Sequence, residues 1–277
     1  MDTKTAPLAA IAKKFRHNTL RISLGTAASF GAVTAAHAQV LTQPGPVVVA
    51  GAATIGQASA SGQIITQAST RAILEWGDLS VSQGKTLQFV QPSADAITLN
   101  RVTGTLRSQI NGTISANGQV WIINPNGLLV GSSGQVNAAG FLATTANISN
   151  SDFLAAPATY HFSGSSQSNV GNAGVIRADS GYVVLAGGTT ENQSSGLIQA
   201  RLGTVAIGSG SDFTINFGGG SLISFAIGQQ AQGNSTTPMR SIRNDGAILA
   251  DGGMVMLTVG AANSIAAGVI NTTGLIQ

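Results

Sequence analysis

A short unit, G-x-I-x-A-x-x-G-x-V-x-[LI], recurs along the chain and leaves few folds open to it. It reads Gly174-Val-Ile176-Arg-Ala178-Asp-Ser-Gly181-Tyr-Val183-Val-Leu185, then Gly196-Leu-Ile198-Gln-Ala200-Arg-Leu-Gly203-Thr-Val205-Ala-Ile207, then Gly246-Ala-Ile248-Leu-Ala250-Asp-Gly-Gly253-Met-Val255-Met-Leu257. Three further copies, at 112–122, 134–144 and 268–276, have a turn one residue shorter. The leading glycines are Gly112, Gly134, Gly174, Gly196, Gly246 and Gly268. The steps from Gly112 to Gly134, from Gly174 to Gly196 and from Gly246 to Gly268 are identical in length. The two longer steps between them leave room for excursions near 147–170 and 209–240.

The apolar positions of the unit alternate with polar or variable ones, the period of a strand with one buried face. The glycine between the two apolar pairs is expected to supply positive φ at a tight corner. Each repeat is then strand, corner, strand and return. One such coil cannot cover its own apolar face, but coils stacked about 4.8 Å apart give every strand a parallel partner above and below. Each buried Ile, Val or Leu contributes roughly 1.5–3 kcal/mol, so several coils are needed to offset chain entropy. The expected fold is all-β, a parallel β-helix or solenoid of about 11 coils. Leucine-rich repeats would need L-x-x-L-x-L and helical repeats a 3.6 period, and neither is present. The calcium-binding nonapeptide does not recur, so no calcium dependence is expected. Residues 39–110 read as shorter strands around Ile64-Ile65, Ala72-Ile73-Leu74, Leu87-Gln88-Phe89-Val90 and Ile97-Thr98-Leu99. They are the candidate for an N-terminal β cap over the exposed strand edges.

Charge enters the argument through its placement. The net charge is +3, but Lys4, Lys13, Lys14, Arg16 and Arg21 cluster at the N-terminus, with Asp2 alone against them. From position 22 onward, eight basic residues face nine acidic ones, so no nucleic-acid partner is expected. Residues 1–38 read as a signal peptide. A basic stretch precedes an apolar run at 22–36, which ends in Ala36-His37-Ala38, placing cleavage between Ala38 and Gln39. The apolar run is shorter than the roughly 20 residues of a membrane-spanning helix. There is no cysteine, which removes thiol chemistry and thiolate metal sites. Charged residues make up only 8% of the chain, against about 25% in ordinary domains. The abundance of Ile, Val and Leu excludes disorder as the reason.

Two short motifs lie outside the repeat. Asn124-Pro125-Asn126-Gly127 sits between the apolar runs Ile122-Ile123 and Leu128-Leu129-Val130, and Asn100-Arg101 directly follows Leu99. With them, the chain resembles the secretion domain of two-partner secretion exoproteins of the filamentous-haemagglutinin type. The resemblance runs in order from about Trp76 to Phe153. It covers L-N-R-V-x-G at 99–104, S-x-I-x-G-x-I-x-A-N-G at 108–118, I-N-P-N-G-L-L-V-G at 123–131, the Asn137-Ala-Ala-Gly-Phe-Leu-Ala-Thr-Thr stretch, and Asp152-Phe153. It implies a right-handed β-helix, inner-membrane passage by the general export machinery, and a partner outer-membrane β-barrel transporter whose periplasmic modules recognise the unfolded domain. It further implies a secreted or cell-surface product of a Gram-negative bacterium, with adhesion or haemagglutination on host-cell or surface glycans as the downstream role. The expected organisation is a signal peptide at 1–38, the secretion domain with its cap at 39–155, and β-helix repeats at 156–277. Family members continue through many more repeats, so the last segment is expected to be truncated.

The candidate residues each carry two readings. Asn124, Pro125, Asn126 and Gly127 are either a transporter-recognition element or a corner turn whose Asn side chains satisfy backbone groups. Asn100 and Arg101 either contact the partner or are structural, with Arg101 paired to a carboxylate such as Glu75 or Asp78. Trp76 and Trp121 read as packing or corner residues rather than ligand stackers. Beyond the signal segment, His161 is the only histidine and Lys85 the only lysine, and the acids are scattered. No catalytic residues, metal site or cofactor are therefore expected. Gly218-Gly219-Gly220 and Gly208-Ser209-Gly210 open no helix and are not phosphate loops. The alternatives are a secreted β-helix carbohydrate-active enzyme, which needs clustered carboxylates, or a non-functional exoprotein fragment. A self-secreting passenger would need a C-terminal barrel, which this sequence lacks.

Overall fold

A computed structural model describes residues 45–178, 181–210, 212–217, 223–229, 242–259 and 270–277. The signal segment with Ala38 and Gln39, the glycines 218–220 and Gly268 lie outside the described residues. Among the described residues, no helix is long and apolar enough to cross a membrane.

The chain winds through three sheets in turn. The first face stacks Ala53–Ile55, Gly62–Gln67, Thr86–Val90, Thr113–Ala116, Gln135–Asn137, Val175–Arg177, Leu197–Gln199, Ala247–Leu249 and Leu275–Ile276. The second stacks Val47–Ala50, Arg71–Trp76, Ile97–Val102, Gln119–Ile123, Gly140–Thr144, Tyr182–Gly187, Thr204–Ser209 and Met254–Val259. The third stacks Ser108–Ile110, Leu128–Val130, Asn169–Asn172, Thr189–Asn192, Ile242–Asn244 and Ile270–Thr272. The solenoid pairs are parallel. Gln135 lies beside Thr113 and Leu197 beside Val175, so neighbours in the sheet are one sequence repeat apart. At the N-terminal end the direction reverses. Val47–Ala50 runs antiparallel to Arg71–Trp76, and Ala53–Ile55 antiparallel to Gly62–Gln67. These two strands cover the edges of the first and second faces and form the N-terminal β cap. The protein is an all-β parallel β-helix.

The interior takes the side chains read from the repeat. Ile114, Val136, Ile176, Ile198 and Ile248 from the first face meet Val120, Ile122, Phe141, Val183, Leu185, Val205 and Ile207 from the second in one buried cluster. The narrow corners explain the glycines, but not through positive φ. None of Gly118, Gly140, Gly181, Gly203 and Gly253 has positive φ. The left-handed residue is the one before the glycine, Leu202 (φ 55°) in one coil and Gly252 (φ 72°) in the next. The glycines that follow stack in a column. A Cβ on Gly181 would lie 1.7 Å from the Ala139 carbonyl oxygen, one on Gly203 1.7 Å from Gly181 O, and one on Gly253 2.1 Å from Gly203 O. Close stacking of backbones selects glycine here, as it does at the leading glycines 134, 174 and 246.

The last repeat departs from the frame its sequence suggests. Leu275 pairs with Ala247 and Ile276 with Ile248, so Gly274, not Gly268, takes the place of Gly246. Ile270 instead lies beside Ile242 on the third face. Thr272 there ends a ladder in which Asn172 Nδ2 donates to Asn192 Oδ1 (2.9 Å), Asn192 Nδ2 to Asn244 Oδ1 (2.8 Å) and Asn244 Nδ2 to Thr272 Oγ1 (3.2 Å).

The two excursions leave the solenoid at the same corner, between the second and third faces. The first forms the short helix Asn150–Leu154, N-capped by Ser149, and the strand Thr159–Ser163. The second contributes Asp212–Asn216 and Ser224–Gln229. Together they make a three-stranded antiparallel sheet, with Asp212–Asn216 in the middle.

Candidate functional site

Asn124, Pro125, Asn126 and Gly127 turn the chain from the second face onto the third. The Asn124 carbonyl accepts from Gly127 N–H at 2.9 Å, closing a four-residue turn. Asn124 Oδ1 accepts from the backbone N–H of Asn126 at 2.9 Å and from its side-chain amide at 3.2 Å. Asn124 Nδ2 donates to Leu106 O at 3.0 Å and Ser108 Oγ at 2.9 Å, and Asn126 Nδ2 donates to Gly104 O at 2.9 Å. The turn is thereby tied to the corner of the preceding coil. The following coil reaches back, with Ser166 Oγ donating to the Pro125 carbonyl. Gly127 sits at φ +93°, and a Cβ there would lie 2.5 Å from Asn169 O, so both conformation and space call for glycine. Asn124 is 1% exposed and its side-chain amide is fully engaged.

Strand alternation sends Asn100 and Arg101 in opposite directions. Asn100 pairs with Leu74 and Ile122 and points into the solenoid, where it is 0% exposed. There it accepts from Trp76 Nε1 at 3.0 Å and donates to Thr98 O and Trp121 O at 3.2 Å each. Arg101 points outward onto the first excursion. Its Nη1 donates to Asn150 Oδ1 (2.7 Å), Nη2 to Ile148 O (2.8 Å) and Nε to Asn147 Oδ1 (3.1 Å). Glu75 lies 3.7 Å away, while Asp78 accepts from Ser80 Oγ instead. Burial pulls the Arg101 guanidinium below its usual pKa, and Glu75 opposes that shift. Asn100 and Arg101 thus lie on different sides of the second-face sheet, and Arg101 fastens the excursion helix to the solenoid.

The repeat alone says nothing of what the excursions build. Their sheet covers the outer side of the second face and closes a second buried cluster. Ile73, Leu99, Trp121, Ile123, Leu142, Val184 and Ala206 of the solenoid pack against Phe153, Tyr160, Phe162, Phe213, Ile215 and Phe225. Trp121 is central. Its ring lies 5.5 Å from Phe153, 5.0 Å from Tyr160, 5.7 Å from Phe162 and 6.2 Å from Phe217, and its Nε1 donates to the Tyr182 hydroxyl at 2.6 Å. Trp76 lies in the interior cluster. A signal for the outer cluster was present. Val120-Trp121-Ile122-Ile123 and Tyr182-Val183-Val184-Leu185-Ala186 are unbroken apolar runs, the mark of a strand buried on both sides.

Among the described residues, several of the remaining charged side chains pair locally. His161 Nε2 lies 3.1 Å from both carboxylate oxygens of Asp212 on the neighbouring strand of the covering sheet. Arg243 bridges Glu191 and Asp245, and Arg201 faces Asp251. Among the described residues, no three His, Cys, Asp or Glu side chains converge as a metal site would require.

Residues 38–277 match a family model described as the TPS secretion domain. The chain belongs to the TPS secretion domain family. A solved TPS relative, the HMW1 secretion domain from Haemophilus influenzae, superposes with a TM-score of 0.66 at 30% identity, covering 77% of this chain and 55% of that one. Two curated proteins, both named heme/hemopexin-binding protein and both from Haemophilus influenzae, align as well. One is 39% identical over 100 residues, and the other, from strain ATCC 51907 / DSM 11121 / KW20 / Rd, is 36% identical over 129 residues. The alignments span 36% and 46% of this chain but only 11% and 14% of those relatives. None of the three is described as an enzyme. The TPS membership makes this chain the secretion domain of a two-partner secretion exoprotein.

Proposed function

We propose that this domain directs its polypeptide through a partner outer-membrane β-barrel transporter, and that the transporter's periplasmic modules read the chain before it folds. The observation that carries the second half is burial. Asn100 and Asn124 are 0% and 1% exposed once the coils have formed, and both amides are spent on internal partners. A partner reading these side chains must do so on the extended chain. In this reading residues 1–38 are removed between Ala38 and Gln39 after inner-membrane export. Residues 39–155 carry the recognised motifs, 156–277 add coils to the same solenoid, and folding outside the cell starts from the N-terminal cap. The complete product then acts at the surface of a Gram-negative bacterium as an adhesin on host-cell or surface glycans. The names of the relatives add heme and hemopexin to the ligands to be tried.

Co-expression with and without the cognate transporter tests the export step. Release into the medium only when the transporter is present is expected, and equal release in both cases would overturn the proposal. Asn124→Ala combined with Asn126→Ala should lower release more than it lowers folded stability. If urea unfolding collapses while transporter binding of the unfolded chain is unchanged, the motif is a turn and nothing more.

A further inference from the structure

We propose that the covering sheet is a strap that closes last, after the coils beneath it have stacked, and locks them into one cooperative unit. The topology requires a wait. Apart from a single bridge to Asn147, the strand Thr159–Ser163 pairs only with Asp212–Asn216 among the described residues. The two strands leave the solenoid at different levels. One follows Gly140–Thr144 and the other follows Thr204–Ser209, with Tyr182–Gly187 stacked between them. His161 lies opposite Thr214, a long way off in sequence, whereas coils within the solenoid add one neighbour at a time. Closing the strap on an unformed chain would cost the entropy of that whole loop. Once the intervening coils are seated, both strand origins are already held at one corner.

The side chains agree with this order. Phe162 stacks on Phe213 with centroids 4.7 Å apart and planes 8° from parallel, and Phe225 lies 5.4 Å beyond. Phe217 reaches back to Trp121, Tyr160 and Tyr182. Until the second excursion arrives, Trp121 lacks its stacking partner Phe217, and the cluster over the second face lacks Phe213, Ile215 and Phe225. Such exposed apolar surface is transient and prone to association. When the strap arrives, it shares one buried cluster with second-face residues from Ile73 to Ala206 and so joins coils that otherwise pair only with their neighbours.

Pulsed hydrogen exchange during refolding of the full chain from urea, read by peptide mass spectrometry, tests this. Amides of the first-face strands Thr113–Ala116, Gln135–Asn137 and Val175–Arg177 should gain protection first. Those of Thr159–Ser163 and Asp212–Asn216 should follow at least tenfold more slowly. Phe213→Ala should slow or abolish the second step and leave the first unchanged. Protection of all five segments at one rate in the unmodified chain would overturn the proposal, and that result does not depend on any variant folding. Loss of first-face protection together with the strap in Phe213→Ala would overturn it equally.

Discussion

The first and second faces of the solenoid are built from the same repeat, yet they meet different surroundings. In the first-face strands Gln135–Asn137, Val175–Arg177 and Leu197–Gln199, only the central residue is buried, and its neighbours look outward. In the second-face strands Gly140–Thr144, Tyr182–Gly187 and Thr204–Ser209, every residue is buried. One face has water on its outer side, while the other has a sheet laid over it. The repeat set the inward residues of both faces. The insertions between repeats decided which face gained a second core.

Substitutions on the outward side of each face should therefore differ sharply, and this is the largest expected effect. Trp121→Ala empties the centre of the outer cluster and should cost about 3–5 kcal/mol in urea unfolding. Gln135→Ala, outward on the first face and exposed, should stay within about 0.5 kcal/mol. Similar losses from the two would break the comparison. At the corner joining these faces, Gly203→Ala should lower stability by about 1–3 kcal/mol, because its methyl meets the Gly181 carbonyl oxygen. Unchanged stability there would mean that the corner glycines serve only the turn.

A smaller, pH-dependent effect sharpens the contrast further. Tyr182 is the outward residue that opens a second-face strand, and burial raises its pKa well above the usual tyrosine value, with the hydrogen bond from Trp121 acting the other way. The unfolded chain loses this proton near pH 10, while the folded chain keeps it. The contribution is therefore intact below pH 10. Above it, stability should fall by about 1.4 kcal/mol per pH unit from this group. Tyr182→Phe should flatten that part of the stability curve. An unchanged slope would show that the outer cluster admits water.

These contrasts also mark how much the sequence disclosed. Ile176, Ile198, Val183 and Val205 announced the coil because stacking forces the same inward position in every turn. The Asn-Pro-Asn-Gly turn was legible because its chemistry is local. The sheet over the second face was not, since Phe162 and Phe213 meet through a pairing that no local period records. The unbroken apolar runs through Trp121 and Val184 hinted that something lay above it. The final repeat misled for the opposite reason. Ile270-Asn271-Thr272 has the look of a first-face strand, but a coil longer than the regular repeat places it on the third face, beside Ile242. At Asn100 and Arg101 the residue types left partner contact and a structural role both open, and strand alternation, which places one as an interior amide and the other as an outer clamp, was not part of that signal.

The central claim is that the transporter reads this domain unfolded and that folding hides what was read. Capture by the immobilised periplasmic modules of the transporter, followed against time after the chain is diluted from urea, tests it directly. Capture should decay with the rate constant at which tryptophan fluorescence reports burial of Trp76 and Trp121, and pre-folded chain should not be captured. Capture of folded chain as efficient as that of freshly diluted chain would contradict the account.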